Sequence, residues 1–257
     1  QDIENDTYDN LVLSGSGTKT LIGDTSVVNA TVEANATLDP NGSKLTGTGS
    51  ADISGTLLVD AATFDGNYSF IGGGTLNPGS VVNYAALGDQ TIDSTIPYAD
   101  IVLSGSGTKT VDGDTSVVNA TVAAGVIFDP NGFTITGTGS ADVYGTLLVD
   151  AATIGDNYNF LSGTLQPGST VNYTADTAQD IENDTYSNLI LSGSGTKTAG
   201  GVVSVNGTLS MEGTAATTAT FNYGSSAVLQ YKGTAAQTTG SELPSTVPNL
   251  TIDNANG

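Results

Sequence analysis

Apolar residues in this chain occur in short clusters in which apolar and polar side chains alternate, and turn residues separate the clusters. A period of two places successive side chains on opposite faces of a β-strand. The segments predicted to be strands are NLVL, SVVNATV, KLTGT, SADIS, GTLLV, NYSFI and SVVNY. No segment has a convincing helical pattern. Residues 214–220 come nearest, but their threonine content and lack of capping residues favour a strand or loop.

One block of sequence returns at a regular interval. The block that begins at Gln1 begins again at Gln90 and at Gln179, 89 residues apart in both cases, and its opening returns at Gln237. A fixed internal period is typical of arrays in which each unit packs on its neighbours. We name these units copy 1 (1–89), copy 2 (90–178) and copy 3 (179–257), the last being shortened and ending in the start of a fourth unit.

The length of copy 3 distinguishes between two all-β architectures. Each copy has a stretch between the last threonine of the block and the tyrosine before the next block. This stretch is Thr20–Tyr84 in copy 1 and Thr110–Tyr173 in copy 2. In copy 3 it is Thr198–Tyr231, which is only about half as long. A β-sandwich that lost a third of its strands would expose its core, whereas a solenoid can lose a coil. The sequence therefore predicts one continuous parallel β-solenoid (β-helix) with coils of roughly 20–30 residues, three or four to each long copy. Tandem β-sandwich domains are the alternative.

Comparison of the copies indicates which positions are interior. Where copies 1 and 2 differ, one apolar residue often replaces another, as in Leu38 and Phe128 or Ile53 and Val143. Such exchanges are typical of a packed core. The predicted interior contains Leu11, Leu13, Val28, Leu57, Val59 and their equivalents.

Composition argues against several kinds of function. The formal net charge is −21, and the chain has five lysines but no arginine, histidine, cysteine or tryptophan. Binding to nucleic acid or to an anionic membrane surface needs a basic patch. Without histidine and cysteine, the usual transition-metal sites and nucleophile pairs cannot form. Carboxylate pairs for glycoside hydrolysis are compatible with the composition, but a catalytic site is normally unique and this sequence is repetitive. We therefore expect no enzyme, no nucleic-acid partner and no membrane insertion, since no apolar run approaches roughly 20 residues.

Several motifs resemble repeats of a known kind of protein. They are YKGTAAQ at 231–237, the string NLVLSGSGTKT, and a tyrosine six residues before Gln90, Gln179 and Gln237. Together they resemble repeats in large secreted bacterial surface proteins, which are frequent in Bacteroidota and green sulfur bacteria. The resemblance covers essentially the whole chain. It implies an extracellular, adhesin-like β-helical stalk and supplies no catalytic residues.

Lys19, Lys109 and Lys197 occupy the same position of the repeated SGSGTKT segment. One interpretation is a row of reactive or ligand-binding amines, including partners for an isopeptide bond. The interpretation that the sequence favours is a solvated lysine that protects a turn or strand edge against association.

Two DPNG turns supply the candidate metal ligands, Asp39 and Asp129. Stacked carboxylates of adjacent coils repel each other unless a hard cation such as Ca²⁺ neutralises them. DPNG is also a good turn without any metal, and no EF-hand or RTX pattern is present. Calcium is the one cofactor considered.

Asn-x-Ser/Thr sequons are frequent, and Asn29, Asn119 and Asn206 are the candidate acceptors for N-glycosylation. Thr46-Gly47-Thr48 and its copy 2 equivalent also suggest an ice-binding threonine array. The pairs do not repeat on every coil, however, and strand propensity explains them more simply.

The sequence thus predicts an extracellular structural or adhesive protein that forms a rigid β-helical stalk or filament. The chain begins and ends within copies of one motif, which suggests end-to-end association of subunits into a fibre, or a longer array. The alternative is a cell-surface module that binds calcium or carbohydrate, including surface glycans.

Overall fold

The computed structural model describes residues 1–70 and 72–255 and shows an all-β chain. About 53% of the residues lie in strands and 3% in helices, and parallel sheets form a β-solenoid of about 13 turns. This confirms the predicted fold. Tandem β-sandwiches, which are built from antiparallel sheets, are excluded.

Thirty-one short strands and two one-turn helices make up the regular structure of the described residues. Copy 1 contains β1 (Asp2–Ile3), β2 (Thr7–Leu13), β3 (Gly17–Leu21), β4 (Thr25–Val32), β5 (Ala36–Asp39), β6 (Leu45–Gly47), β7 (Ala51–Ile53), β8 (Thr56–Val59), α1 (Phe64–Asn67), β9 (Tyr68–Phe70), β10 (Gly74–Leu76) and β11 (Val81–Tyr84). Copy 2 contains β12 (Gln90–Ile92), β13 (Asp100–Leu103), β14 (Gly107–Val111), β15 (Thr115–Val117), β16 (Asn119–Val122), β17 (Val126–Asp129), β18 (Ile135–Val143), β19 (Thr146–Val149), α2 (Ile154–Asn157), β20 (Tyr158–Leu165) and β21 (Thr170–Tyr173). Copy 3 contains β22 (Gln179–Asp180), β23 (Thr185–Tyr186), β24 (Asn188–Leu191), β25 (Thr196–Thr198), β26 (Val202–Val205), β27 (Thr208–Glu212), β28 (Ala216–Thr217), β29 (Thr220–Tyr223), β30 (Val228–Gly233) and β31 (Asn249–Asn254).

Each turn of the solenoid has three sides. β13, β14 and β15 form the sides of one turn, and the chain then enters β16, which stacks directly on β13. β17 stacks on β14, and the first part of β18 stacks on β15, so the next turn repeats the triangle. Hydrogen bonds between adjacent turns join residues 18 positions apart in a short turn, as for Gly42 and Asp60, and 25 positions apart in a long one, as for Asp52 and Asn77. The turns therefore lie at the short end of the predicted coil length.

The sequence period does not correspond to a whole number of turns. From Tyr84 the ladder passes through three intermediate partners to Leu165, which is four turns later. The repeat equivalent, Tyr173, follows Leu165 in the chain and lies on the next side of the triangle. One full-length copy therefore makes about four and a third turns, rather than the predicted three or four, and three such copies would complete 13 turns.

Equivalent segments of successive copies consequently lie on different sides of the solenoid. The strands that carry the repeated lysine, β3, β14 and β25, belong to three different sheets. The shortened copy does not produce this rotation, because Tyr173 and Tyr231 are three whole turns apart in one ladder. Compared with the full-length copies, copy 3 therefore lacks one and a third turns.

Buried apolar side chains form a column along the axis of the solenoid. Leu13 and Leu103 belong to the same buried cluster, and a second cluster begins at Val149. The partly buried Ile154 and Leu165 pack against both clusters. The interiors of the copies are therefore connected.

Most of the predicted interior residues are inside, and one is not. Leu13, Leu57 and Val59 are buried, and Leu11 is partly buried against the core. The prediction for Val28 is wrong, since this side chain is 40% exposed. Val27 takes the inward position, and the period of two in a strand turns the next side chain outward.

A wide turn occurs in each full-length copy. In copy 1 this turn runs from Thr56 to its stacked partner Val81, and in copy 2 it runs from Thr146 to Thr170, so each is several residues longer than the turns on either side. The added length contains α1 and α2, which the sequence analysis missed. A one-turn helix is too short to show a periodic apolar pattern.

Asparagine and threonine side chains fix the two helices. Asn67 ends α1 and is buried; its Oδ1 accepts two backbone N–H groups of the preceding corner, and its Nδ2 donates to the Ser43 carbonyl at 3.0 Å in the turn below. Asn157 makes the equivalent bonds in copy 2. The hydroxyls of Thr63 and Thr153 accept a backbone N–H and cap the helices.

Candidate functional site

Each wide turn is followed by a narrow one. The narrow turn does not cover the whole edge of the wide turn, which leaves an opening in the wall of the solenoid. In copy 1 the turn above the wide one runs from Val81 to Asp100 and is several residues shorter. β9 and β10 pair with β6 and β7 below them, but within the described residues no strand pairs with their other edges. The edges of β9 and β10 that face the narrow turn are therefore open.

Copy 2 has the same opening on another side of the solenoid. β20 pairs with β18, and in the part of the chain that the structure describes no strand pairs with its other edge. β9, β10 and β20 contain no charged residue and no proline. Native edge strands usually carry such residues because they prevent association with other strands. These edges are therefore unprotected.

A cleft of about 470 Å³ lies beside the open edges of copy 1 and reaches the apolar interior. Its floor includes the buried side chains of Ala51, Ile53 and Leu57. Phe70 and Ile96, both partly buried, also line it. A volume of about 300–1,000 Å³ and a mostly apolar lining are typical of ligand sites.

Copy 2 has an equivalent cleft of about 370 Å³. Ala141, Val143 and Leu147 line it at the positions that are the repeat equivalents of the floor in copy 1. Phe160 is the equivalent of the aromatic wall residue. The cleft is therefore a property of the full-length repeat and not of one local irregularity.

Glycines in the turn below make room for the aromatic walls. Gly47 pairs with Phe70, and Gly137 pairs with Phe160. A Cβ atom on either glycine would collide with the ring of its partner. This packing gives a structural reason for the glycine in the Thr-Gly-Thr segments that suggested a threonine array.

Two tyrosines stabilise the inner wall of the clefts. The Tyr68 hydroxyl donates to the Leu58 carbonyl at 2.6 Å, and the Tyr158 hydroxyl donates to the Leu148 carbonyl at 2.8 Å. Burial, together with nearby aspartates, raises the pKa of both tyrosines well above the ordinary value. Both hydroxyls therefore remain protonated donors at neutral pH.

Carboxylates line both clefts. Asp65 and Asp93 contribute to the cleft of copy 1, and Glu182 and Asp184 contribute to that of copy 2. Asp65, Glu182 and Asp184 are exposed. The described lining of neither cleft includes a lysine. Each cleft thus combines an apolar floor, an open strand edge and a negative rim.

The repeated lysines of copies 2 and 3 are buried, so the interpretation that they are solvated is wrong for these copies. Lys109 is fully buried, and its ammonium group donates to the carbonyls of Ala86 at 2.9 Å and Gly88 at 2.8 Å and to Gln90 Oε1 at 2.7 Å. These three acceptors match the three donors of a lysine side chain. The lysine therefore joins two adjacent turns.

The glutamine that opens the repeat completes this arrangement. Gln90 Nε2 donates to the carbonyls of Val59 at 2.9 Å and Ala61 at 2.7 Å, in the turn below, and Gln90 Oε1 also accepts from the Ala86 N–H group at 3.2 Å. Gln90 and Lys109 are stacked partners in neighbouring strands. We call this pair the glutamine–lysine clasp.

Copy 3 begins with the same clasp. Lys197 is fully buried and donates to Gln179 Oε1 at 2.7 Å, and Gln179 Nε2 donates to two carbonyls of the preceding turn. Burial lowers the pKa of Lys109 and Lys197, and one nearby aspartate in each case partly opposes this shift.

Lys19, the equivalent lysine of copy 1, has other contacts. It is only partly buried, and its Nζ donates to the Ser16 carbonyl at 3.1 Å. In copies 2 and 3 the acceptors of the lysine belong to the previous turn of the solenoid.

The candidate calcium ligands stabilise their own turns. Oδ1 of Asp39 and of Asp129 accepts the backbone N–H of the asparagine two residues later at 2.9 Å. Among residues 1–70 and 72–255, no group of three or more acidic side chains is placed to hold a metal ion. Calcium binding at these two positions stays a prediction.

The candidate glycosylation sites differ in their surroundings. Asn29 and Asn119 are partly buried; their Nδ2 groups donate to Asn10 and Asp100, and their Oδ1 atoms accept backbone N–H groups from the next turn. Asn206 is exposed. Asn29 and Asn119 thus link adjacent turns, and glycosylation at any of the three positions stays a prediction.

Sequence reasoning missed the clefts, although a signal for them exists. The segment that copies 1 and 2 contain and copy 3 lacks includes the wide turn.

Comparisons with protein-family profiles, curated proteins and solved structures gave no match to this chain. In the described residues, no helix has both the length and the apolar character that crossing a bilayer requires.

Proposed function

We propose that the chain is a rigid structural stalk or filament element of an extracellular surface. The observation that carries this proposal is the continuity of the ladders between copies. β8, β11, β13 and β16 join copies 1 and 2 in one sheet, and a nine-stranded sheet from β12 to β31 joins copies 2 and 3. Bending between copies would break backbone hydrogen bonds and separate stacked apolar side chains.

The dimensions of the proposed rod follow from the strand spacing. Thirteen turns at about 4.8 Å give a length of about 60 Å, and each full-length copy contributes about 21 Å. Small-angle X-ray scattering of the chain in solution should show an elongated particle of this length. A profile that fits a sphere of the same mass would overturn the stalk.

The extracellular location is supported by the resemblance to secreted surface repeats and by the strongly acidic composition, which keeps a repetitive β-protein soluble. Antibodies raised against this chain should label intact cells that produce it. Labelling that appears only after the cells are permeabilised would contradict the proposed location.

End-to-end association is part of the same proposal. The last turn of one copy of the chain would stack on the first turn of the next and continue the ladder into a fibre. Sedimentation velocity should show oligomers that grow with concentration, and a monomer at every concentration would remove the fibre from the proposal.

A surface-binding module is the second candidate, and the repeated clefts favour a binding role. Calcium and carbohydrate are the ligands that the sequence suggested. Titration calorimetry with Ca²⁺ and with soluble polysaccharides tests them directly. Saturable heat would support this candidate, and its absence with both ligands would leave the structural function alone.

A further inference from the structure

We propose that each open cleft binds an extended, positively charged peptide segment, which adds a strand to the solenoid and places an apolar side chain in the cleft. The partner is defined by this chemistry and is not a second copy of the chain. The proposal goes beyond the stalk function and does not require it. Three independent observations support it: the open backbone edge, the apolar cleft and the charge of its rim.

The open edge selects a peptide backbone as the ligand. β7 and β18 are paired on both sides, but β10 and β20, which follow them, are paired on one side only in the described residues. The exposed Thr75 and Thr164 lie in these edge strands. An added strand can exchange backbone hydrogen bonds with such an edge, which a compact apolar molecule cannot do.

The cleft selects the side chains of the peptide. In an extended segment, alternate side chains point toward the same face. A side chain that points inward from the added strand would lie next to Leu76 in copy 1 or Leu165 in copy 2, which line the clefts and stack on Ile53 and Val143. Volumes of about 470 and 370 Å³ accommodate a branched aliphatic side chain.

The rim selects the charge of the peptide. Asp65 and Asp93 in copy 1, and Glu182 and Asp184 in copy 2, line the clefts, and no lysine opposes them in the described lining. This chain has only five lysines and no arginine, so a second copy offers no segment in which apolar and basic residues alternate. A segment in which apolar residues alternate with lysine or arginine meets all three requirements.

The probe for this proposal is a fluorescein-labelled seven-residue peptide of alternating lysine and valine. Anisotropy and calorimetry with the full chain should show saturable binding of two peptides per chain, one for each full-length copy. Peptides with glutamate in place of lysine should not bind. A lysine–valine peptide that is N-methylated at alternate backbone nitrogens should also fail, because it cannot pair with the strand edge.

Charge-neutral variants assign the site. The double substitution Glu182→Gln and Asp184→Asn should weaken binding at one of the two sites by about fivefold, since each exposed charge pair contributes modestly. The matched control, Asp9→Asn with Glu33→Gln, changes the net charge equally and should leave both sites intact. Thr164→Lys, which places a charge on the exposed edge of β20, should abolish one site.

Each outcome decides the proposal. Two-site binding that requires both the lysines and the backbone N–H groups supports it, provided that thermal unfolding shows every variant to be folded. Absence of saturable binding overturns it. Binding that the control variant weakens as much as the rim variant would show a general attraction to an acidic surface, and binding that survives N-methylation would exclude strand addition.

Discussion

The full-length copies and the shortened copy share their ends and differ in the middle. Copies 2 and 3 both begin with a glutamine–lysine clasp, and both contain a buried tyrosine that stacks in the ladder six residues before the next block, Tyr173 in copy 2 and Tyr231 in copy 3. Among the described residues, the wide turns and their helices belong to the full-length copies, and the two clefts lie beside them. The shared part is sufficient to continue the solenoid, and the variable part carries the candidate binding site.

The comparison also shows how sequence length controls the placement of surface features. Across a full-length copy, the equivalent residue of the next copy lies one side of the triangle further on. Across the shortened copy 3, the equivalent residue lies on the same side, because the distance between them is a whole number of turns. An insertion or deletion of one and a third turns therefore changes which side of the rod presents the next cleft. It does so without interrupting the core.

Alkaline pH should produce the largest effect on the part that the copies share. Burial raises the pKa of many tyrosines above the ordinary value of 10.0; the affected residues are Tyr68, Tyr84, Tyr98, Tyr158, Tyr173, Tyr186, Tyr223 and Tyr231. Above pH 10 the unfolded chain loses these protons and the folded chain keeps them until the pH reaches the raised pKa. In that interval each residue lowers the free energy of unfolding by about 1.4 kcal/mol per pH unit.

The two buried lysines do not offset this loss. Their lowered pKa makes the folded chain bind fewer protons, so their contribution to stability rises with pH and becomes constant above 10.5. Circular dichroism and tyrosinate absorbance should therefore change together in one cooperative step above pH 10. Gradual ionisation of these eight tyrosines near pH 10 in a folded chain would contradict the account.

The clasp is the next most sensitive shared feature. Lys197→Met keeps the length of the side chain but leaves buried carbonyls without donors, so it should lower the free energy of unfolding by about 3 kcal/mol. Lys19→Met is the matched control, with an expected change within about 0.5 kcal/mol, because Lys19 is partly exposed. Urea unfolding of both variants measures the difference. Equal midpoints would show that the clasp does not stabilise the solenoid.

A smaller effect should come from a contact that differs between the copies. The hydroxyls of Tyr84 and Tyr173 pair with other tyrosines, but the Tyr231 hydroxyl donates to Glu242 Oε1 at 2.7 Å. Glu242 is 1% exposed, and its Oε2 has no hydrogen-bond partner. Glu242→Gln keeps the acceptor and removes a buried carboxylate, so it should stabilise the chain by about 1 kcal/mol.

Differential scanning calorimetry checks this prediction. Glu212→Gln is the control, because Glu212 lies near the exposed Lys232 at 3.7 Å and such pairs contribute little. A Glu242→Gln variant that melts below the parent chain would show that the carboxylate stabilises this turn.

Exchange of the middle segment should have the smallest effect on stability. Replacing residues 111–172 of copy 2 by residues 199–230 of copy 3 keeps both flanking motifs and removes one wide turn. The melting temperature should change little, because each turn contacts only its neighbours. The number of lysine–valine peptides bound should fall from two to one. An unfolded product would contradict the view that the middle segment is dispensable for folding.

Much of the fold was predictable from local pattern and self-comparison. The period of two located the strands, and the length of copy 3 distinguished a solenoid from sandwiches.

The residues for which the prediction was wrong depend on neighbours that are distant in sequence. Two acceptors of Lys109 are carbonyls of the previous turn, so the local string SGSGTKT could not show that the lysine is buried. Two adjacent valines left the inward position ambiguous, and the choice of Val27 over Val28 depends on the register with neighbouring strands.

The clefts were even less accessible to sequence analysis. They arise because a long turn, from Thr56 to Val81, is followed by a short one that ends at Asp100, and turn lengths are known only when the stacked partners are known. The rim residues, such as Asp93 and Glu182, are ordinary acids in the sequence. Only the step in cross-section places them beside an apolar floor.

Disulfide formation tests most directly the central claim that a full-length copy advances by four and a third turns. The chain has no cysteine, so introduced pairs are unambiguous. Val102 stacks on Asn83, whereas its copy 1 equivalent, Val12, belongs to the column that ends at Thr75. Stacked residues are about 4.8 Å apart, which a disulfide can span. Oxidation should therefore cross-link Asn83→Cys with Val102→Cys and leave Thr75→Cys with Val102→Cys reduced. The opposite result would show that equivalent strands of the two copies lie on the same side of the rod.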